Sequence, residues 1–213
     1  MRRRVGQWLP VVLLGLLVTI TAGSVGTPVA ADGRSATGPS DVTSGVTPID
    51  SCTTISEPGR YALTEDIENG GGTLLSRACI RIDAGDVVLD GDGHRVDGNG
   101  VSNTTGIAVT AADARNVTVT DLEVRDWHRG IDYRKSTCGR ISTVTATNNT
   151  YGLSLERAAG IRVADSEPRG NIVGVETVRW VNRLSGVQAQ RNQGTDVHRG
   201  FPSLRQLVAW TRC

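Results

Sequence analysis

The chain has 213 residues, with 26 glycines, 4% aromatic residues and a formal net charge of +1. The charge is uneven: residues 32–167 carry 13 Lys and Arg against 20 Asp and Glu, while residues 168–213 carry 7 Arg against 2 acids. An acidic body disfavours nonspecific nucleic-acid binding, and the scarcity of large side chains argues against a sandwich or α/β core.

At the N-terminus, Arg2-Arg3-Arg4, the apolar run Trp8 to Ile20 and Val29-Ala30-Ala31 read as the three parts of an export signal over residues 1–31. The run is short for a membrane span, so a cleaved signal is expected rather than an N-terminal anchor. The paired arginines leave general and twin-arginine export both open. The protein is thus expected to be secreted or in the cell envelope. Residues 32–48 are small, polar and rich in Gly, Pro, Ser and Thr, the composition of a flexible linker.

Residues 49–79 read as an N-terminal cap, with Tyr61 and Leu63 alternating with polar neighbours after a Pro58-Gly59 turn. Cys52 and Cys79 bracket this segment. In an exported chain a disulfide between them is expected to tie the cap to the first coil. Cys138 and Cys213 have no evident partners.

From residue 80 the chain repeats. Ile80-Arg81-Ile82, Val87-Val88-Leu89 and His94-Arg95-Val96 are short strands separated by Ala84-Gly85 and Asp90-Gly91-Asp92-Gly93. Gly106-Ile107-Ala108-Val109 then returns as Gly130-Ile131-Asp132-Tyr133, Gly152-Leu153-Ser154-Leu155 and Gly174-Val175-Glu176-Thr177, at spacings of 24, 22 and 22 residues. A fixed period of this size marks a solenoid. Each apolar-x-apolar triplet sends two side chains to one face, and no single rung buries that face alone, so rungs must stack. Three strands per coil with turns at the corners describe an all-β parallel β-helix of about four coils over residues 80–177. Beyond residue 177 the phrase is lost. Residues 178–213, with Trp180, Phe201 and Trp210, are expected to be a divergent tail: a cap on the open sheet edge, a disordered segment or a frame-shifted stretch.

The phrase Ile55-Ser56-Glu57-Pro58-Gly59-Arg60-Tyr61-Ala62-Leu63-Thr64-Glu65-Asp66-Ile67, followed by Cys79-Ile80-Arg81-Ile82 and Val87-Val88-Leu89-Asp90-Gly91-Asp92-Gly93-His94, carries a resemblance. It resembles the exported right-handed parallel β-helix proteins of halophilic archaea, related to carbohydrate-binding and sugar-hydrolase (CASH) domains and to NosD-like accessory proteins of nitrous-oxide reductase. The resemblance covers about residues 49–176 and implies a pectin-lyase-like solenoid. Right-handedness follows from it, in line with the general preference of parallel crossovers. Such proteins usually have more coils, so a truncated fragment is one expectation for this chain.

Asp121, Glu123, Asp126, His128 and Asp132 surround Trp127 and form the densest cluster of chemical groups. Two carboxylates on an outward sheet can act as acid and base across a glycosidic bond, which makes Asp126 and Asp132, with His128, the catalytic alternative. Trp127, with Asp126 and His128, is the candidate carbohydrate-binding set, the indole stacking on a sugar ring. Against catalysis, the Gly-His-Gly, paired-Asp and Arg-Ile-Lys motifs of polygalacturonases are missing. Asp90, Asp92, His94 and Asp97 resemble a calcium loop, but turn geometry accounts for the intervening glycines. Histidines number three (His94, His128 and His198), and copper-type ligand pairs are missing, so no metal or other cofactor is expected. Asn103, Asn116 and Asn148 head glycosylation sequons, and Asn116 also suits a turn or stacked-asparagine position.

The expectation is a noncatalytic envelope β-helix that binds polysaccharide or another surface partner through one solenoid face. Alternatives are a polysaccharide lyase or glycoside hydrolase, an accessory protein in copper-enzyme maturation, and a truncated inactive fragment.

Overall fold

The computed structural model describes residues 45–71, 77–111 and 114–213. The expected export signal, residues 1–31, and residues 32–44 of the expected linker lie outside them. The chain opens with β1 (Val46–Ile49) and β2 (Thr53–Ile55). Two three-strand turns follow: β3 (Gly59–Leu63), β4 (Ile67–Gly70) and β5 (Ala78–Ile82), then β6 (Val87–Asp90), β7 (Arg95–Gly98) and β8 (Thr105–Val109). In the next two turns one long strand replaces the first two: β9 (Thr118–Arg125) precedes β10 (Arg129–Thr137), and β11 (Arg140–Thr147) precedes β12 (Tyr151–Ala159). The last strands are β13 (Arg162–Ala164), β14 (Glu167–Arg169), β15 (Val173–Val178), β16 (Arg183–Ser185) and β17 (Thr195–Gly200), before the helix α1 (Leu204–Trp210).

Every pairing of these strands is parallel. One path runs β1-β3-β6-β9-β11-β13-β16, and a separate sheet runs β17-β15-β12-β10-β8-β5-β2. A further face, β4-β7 with β14, joins the first path because β9 and β11 each bend across two faces. The fold is a parallel β-helix. Its coils begin before residue 80: β1 pairs with β3 and β2 with β5, so residues 46–48 of the expected linker and the segment expected as a cap belong to the solenoid. They also continue past residue 177. β16 pairs with β13 and β17 with β15, so the tail adds another coil before α1.

Three inward columns build the core. Ile80, Ile107, Ile131, Leu153 and Val175 stack on the sheet that contains β8. Leu89, Val119, Ile141 and Val163 stack on the β6 face, and Val96, Val124 and Ala146 on the β7 face. All are at most 1% exposed. Each such aliphatic side chain contributes roughly 1.5–3 kcal/mol by burial, which lets the stack do without large aromatics.

The repeated glycine has a steric cause. A Cβ on Gly130 would lie 2.7 Å from the Gly152 carbonyl oxygen, and one on Gly152 2.7 Å from that of Gly174. Successive rungs approach too closely there for any side chain.

The corners need left-handed backbone, and they too stack. Asp121, Thr143, Asp165 and Gly186 have φ of 52, 55, 47 and 65°, and Asp126, Asn148, Gly170 and Arg191 have 60, 54, 68 and 55°. The third corner, Asp86, Asn116, Cys138 and Gly160, has φ of 54, 54, 59 and 71°. Asn, Asp and Gly dominate these places because they enter that region at least cost.

One residue beyond the second corner runs an asparagine ladder. Asn149 Nδ2 donates to Asn171 Oδ1 at 3.0 Å, and Asn171 Nδ2 to Asn192 Oδ1 at 3.1 Å. The backbone N–H groups of Trp127, Asn149 and Asn171 each donate to the side-chain oxygen one coil on, all at 3.0 Å. Trp127 heads the column, and Asp196 Oδ1 ends it by accepting from Asn192 Nδ2 at 2.8 Å. The stacked asparagine expected at Asn116 sits instead at Asn149, Asn171 and Asn192. Asn116 is an exposed corner residue whose Nδ2 donates to Asp86 Oδ1 at 2.8 Å.

Candidate ligand-binding face

The outward side of β5, β8, β10 and β12 carries the most concentrated chemistry. Register places Arg81, Ala108, Asp132, Ser154, Glu176 and His198 in one outward column, rung after rung. Ala78, Thr105, Arg129 and Tyr151 form the adjoining column. Small side chains at Ala78, Thr105 and Ala108 leave a recess of about 370 Å³, bordered by Arg77, Arg81, Arg129 and Arg134. A second recess of about 120 Å³ continues it past Asp132, Ser154 and Arg157.

Carboxylates anchor three arginines of the recess, Arg81, Arg129 and Arg134. Arg81 Nε meets Asp83 Oδ2 at 2.8 Å and donates to Thr110 Oγ1 at 3.1 Å. Arg134 Nε pairs with Asp132 Oδ2, and Arg129 Nε lies 3.8 Å from the same oxygen. These ion pairs use Nε, so the forked terminal nitrogens remain to grip a carboxylate or sulfate. Arg129 also lies 5.1 Å above the Tyr151 ring, and His128 meets that ring edge-on at 5.7 Å.

Further along the column, Ser154 Oγ donates to Glu176 Oε2 at 3.1 Å. Burial is the main cause that pushes the Glu176 carboxyl up, partly opposed by the Ser154 hydrogen bond. Burial also lowers the His128 imidazole, and the adjacent Arg129 charge adds to it. His128 therefore favours the neutral form at neutral pH.

The cluster expected around Trp127 separates. Trp127 is 2% exposed, and its Nε1 donates to Val96 O at 3.1 Å. It fills a slot left by glycines of earlier coils: a Cβ on Gly98 would lie 2.8 Å from its ring, and one on Gly70 3.0 Å away. Its indole is core and presents no face to a sugar. Asp126 occupies a corner 3.6 Å from Arg125 Nε, and burial raises its pKa. Asp132 is 4% exposed and committed to arginines. No hydrogen bond or ion pair connects Asp126 with Asp132 among the described residues. Asp121 turns the first corner, and Glu123 Oε1 accepts from Thr147 Oγ1 at 3.3 Å.

The Asp90–Asp97 stretch is also divided among neighbours. Asp90 Oδ1 accepts from the Asp92 N–H at 3.2 Å, His94 Nδ1 lies 3.2 Å from Asp66 Oδ1, and Asp97 Oδ2 is 2.6 Å from Arg125 Nη2. Gly91 is required by close approach, since a Cβ there would lie 2.2 Å from Leu122 Cβ. Among the described residues no group of three or more His, Cys, Asp or Glu is arranged to hold a metal.

Cys52 and Cys79 are disulfide-bonded, with Cα atoms 4.4 Å apart. Cys138 and Cys213 form a second bridge, with Cα atoms 5.3 Å apart, that the sequence did not indicate. The sequon residues Asn103, Asn116 and Asn148 are all exposed at left-handed corner positions. Sequence reasoning missed Arg77, Arg129, Arg134 and Tyr151. Arg129 and Tyr151 carried a usable signal, since each directly precedes a glycine of the repeated phrase.

Comparison of the chain with protein-family models, curated proteins and solved structures returns no match.

Proposed function

We propose that this protein is an exported, noncatalytic β-helix module that binds an acidic polysaccharide along the outer face of β5, β8, β10 and β12. The observation that carries this reading is the recess whose small floor is bordered by four arginines, three of them anchored through Nε. A polymer with a carboxylate or sulfate on each residue fits such a surface: guanidinium forks take the anions, and Tyr151 borders the track beside Arg129. The resemblance to CASH-type β-helices and the export signal agree with this assignment. Asp132 serves as a positioning residue that orients Arg129 and Arg134.

Retention on immobilised polygalacturonate, compared with a neutral glucan, tests the proposal. Wild-type protein is expected to bind the acidic polymer alone, and Arg129→Ala to weaken binding about tenfold through loss of one charged hydrogen-bonding group. Equal binding to both polymers, or none to either by folded protein, rejects it. New reducing ends or unsaturated products, abolished by Asp126→Asn, would assign an enzyme instead.

A further inference from the structure

Helix α1 presents its apolar side outward. Ser203 caps it through a reciprocal capping box with Gln206. Gln206 Nε2 donates to Glu156 O at 2.7 Å and to Ala158 O at 3.3 Å, and Ala209 packs against Ala159, Val178 and Val181. Positions 206 and 209, three apart, therefore face the solenoid. Leu204, Val208 and Trp210 are 82, 56 and 46% exposed, and no residue of the helix is buried. A surface helix ordinarily does the reverse and turns its apolar stripe to the core.

The surrounding surface continues the patch. Trp180 and Phe201 are 68 and 72% exposed, with ring centroids 6.1 Å apart, and Arg179 lies 5.1 Å over the Phe201 ring. The Cys138–Cys213 bridge ties the far end of this segment to the solenoid wall. Exposed apolar surface gathered in one place and tied down in this way marks an interaction site.

Charge selects the partner. Residues 197–213 contain Arg199, Arg205 and Arg212 and no Asp or Glu, and Arg179 adjoins them. Glu156 borders Arg205, but Lys135 and Arg157 outnumber it there. Aromatic rings, aliphatic tips and a net basic rim match the boundary between headgroups and acyl chains of an anionic bilayer. The most exposed side chains, Leu204 and Phe201, stand clear of the body. A fluid headgroup layer admits them without the matching pockets a rigid protein surface would need.

We propose that this patch docks the protein on an anionic lipid surface, with Trp180, Phe201, Leu204, Val208 and Trp210 entering the headgroup boundary and Arg179, Arg205 and Arg212 meeting lipid phosphates. The proposal rests on residues other than those of the arginine recess, although α1 packs on β12 of the same sheet.

Tryptophan quenching by brominated lipid tests it in the full chain carrying Trp8→Phe. Trp127 is enclosed in the core, so quenching reports Trp180 and Trp210 even if the N-terminal apolar run also binds vesicles. Vesicles of equal parts phosphatidylglycerol and phosphatidylcholine are expected to quench, and pure phosphatidylcholine to do so weakly. Arg205→Gln and Arg212→Gln are each expected to weaken partitioning about fivefold, the effect of one basic residue at an anionic surface. Leu204→Asp with Val208→Asp is expected to abolish quenching while near-ultraviolet circular dichroism stays native. Equal quenching in both vesicle types, or quenching unchanged in the arginine variants, overturns the proposal. Absence of quenching in the phosphatidylglycerol-containing vesicles also overturns it and returns the patch to a protein partner.

Discussion

Asn171 is fully buried and sits at the centre of the asparagine ladder. Its Oδ1 accepts from both the N–H and Nδ2 of Asn149, and its Nδ2 donates to Ala146 O at 2.9 Å and to Asn192 Oδ1. Asn171→Ala deprives the Asn149 N–H and Ala146 O of these partners. Asn149 Nδ2 keeps its bond to Val124 O at 3.2 Å. Two buried backbone groups losing partners at about 1–3 kcal/mol each, with a small void added, give a loss of about 4 kcal/mol. For a protein of this size that lowers the melting temperature by roughly 8–16 °C. Asn171→Asp should be worse at neutral pH, because a buried carboxylate would face Ala146 O and Asn192 Oδ1. Its folded pKa must lie above the ordinary value near 4. The variant should therefore be most stable below about pH 4 and lose stability as pH rises through the unfolded and then the folded pKa. Thermal and urea melts by far-ultraviolet circular dichroism across that range provide the readout. A loss under about 1 kcal/mol for Asn171→Ala, or a pH-independent Asn171→Asp, would refute the ladder as a main support of this corner.

Thr143 is an exposed β-branched residue at φ 55°, so Thr143→Asn is expected to stabilise by about 1 kcal/mol, checked by urea midpoint. Burial of Glu176 raises its carboxyl pKa, so its charged form opposes folding above the unfolded pKa, and protonation relieves this as pH falls. Glu176→Gln should raise the melting temperature at pH 7 but not near pH 4; equal shifts at both would contradict the burial argument. Removing the Cys138–Cys213 bridge by paired serine substitutions opens a 75-residue separation and should cost about 4 kcal/mol on the chain-entropy model, measured by denaturant melts. Trp127→Ala empties the glycine-lined slot and should cost about 3–5 kcal/mol, with no change in ligand retention because the indole is core.

The architecture was readable because a solenoid writes its tertiary contacts as sequence period. Gly106, Gly130, Gly152 and Gly174 recur since each rung's glycine meets the next rung's backbone. The same logic was present but harder to see in the tail. Asn149, Asn171 and Asn192 are spaced by 22 and 21 residues, yet a single polar letter per coil is a weak signal beside an apolar triplet. The loss of the glycine phrase therefore looked like the end of the helix, while β16 and β17 carried it on.

The local sequence alone determined the strand triplets, the left-handed corners and the parallel stacking, since alternation, Gly/Asn/Asp turns and a constant period act within one or two coils. The solenoid decided which residues meet. Trp127 looked like a surface aromatic among carboxylates, but space left by glycines about 30 and 60 residues earlier drew it into the core. Arg81, Arg129 and Arg134 are scattered along the chain and share one recess because rung register places β5, β8 and β10 side by side. Cys138 and Cys213, 75 residues apart, pair because the last segment runs back along the wall to a corner. Adjacency between coils depends on accumulated register. No local window contains that quantity, so these juxtapositions were left to the tertiary structure.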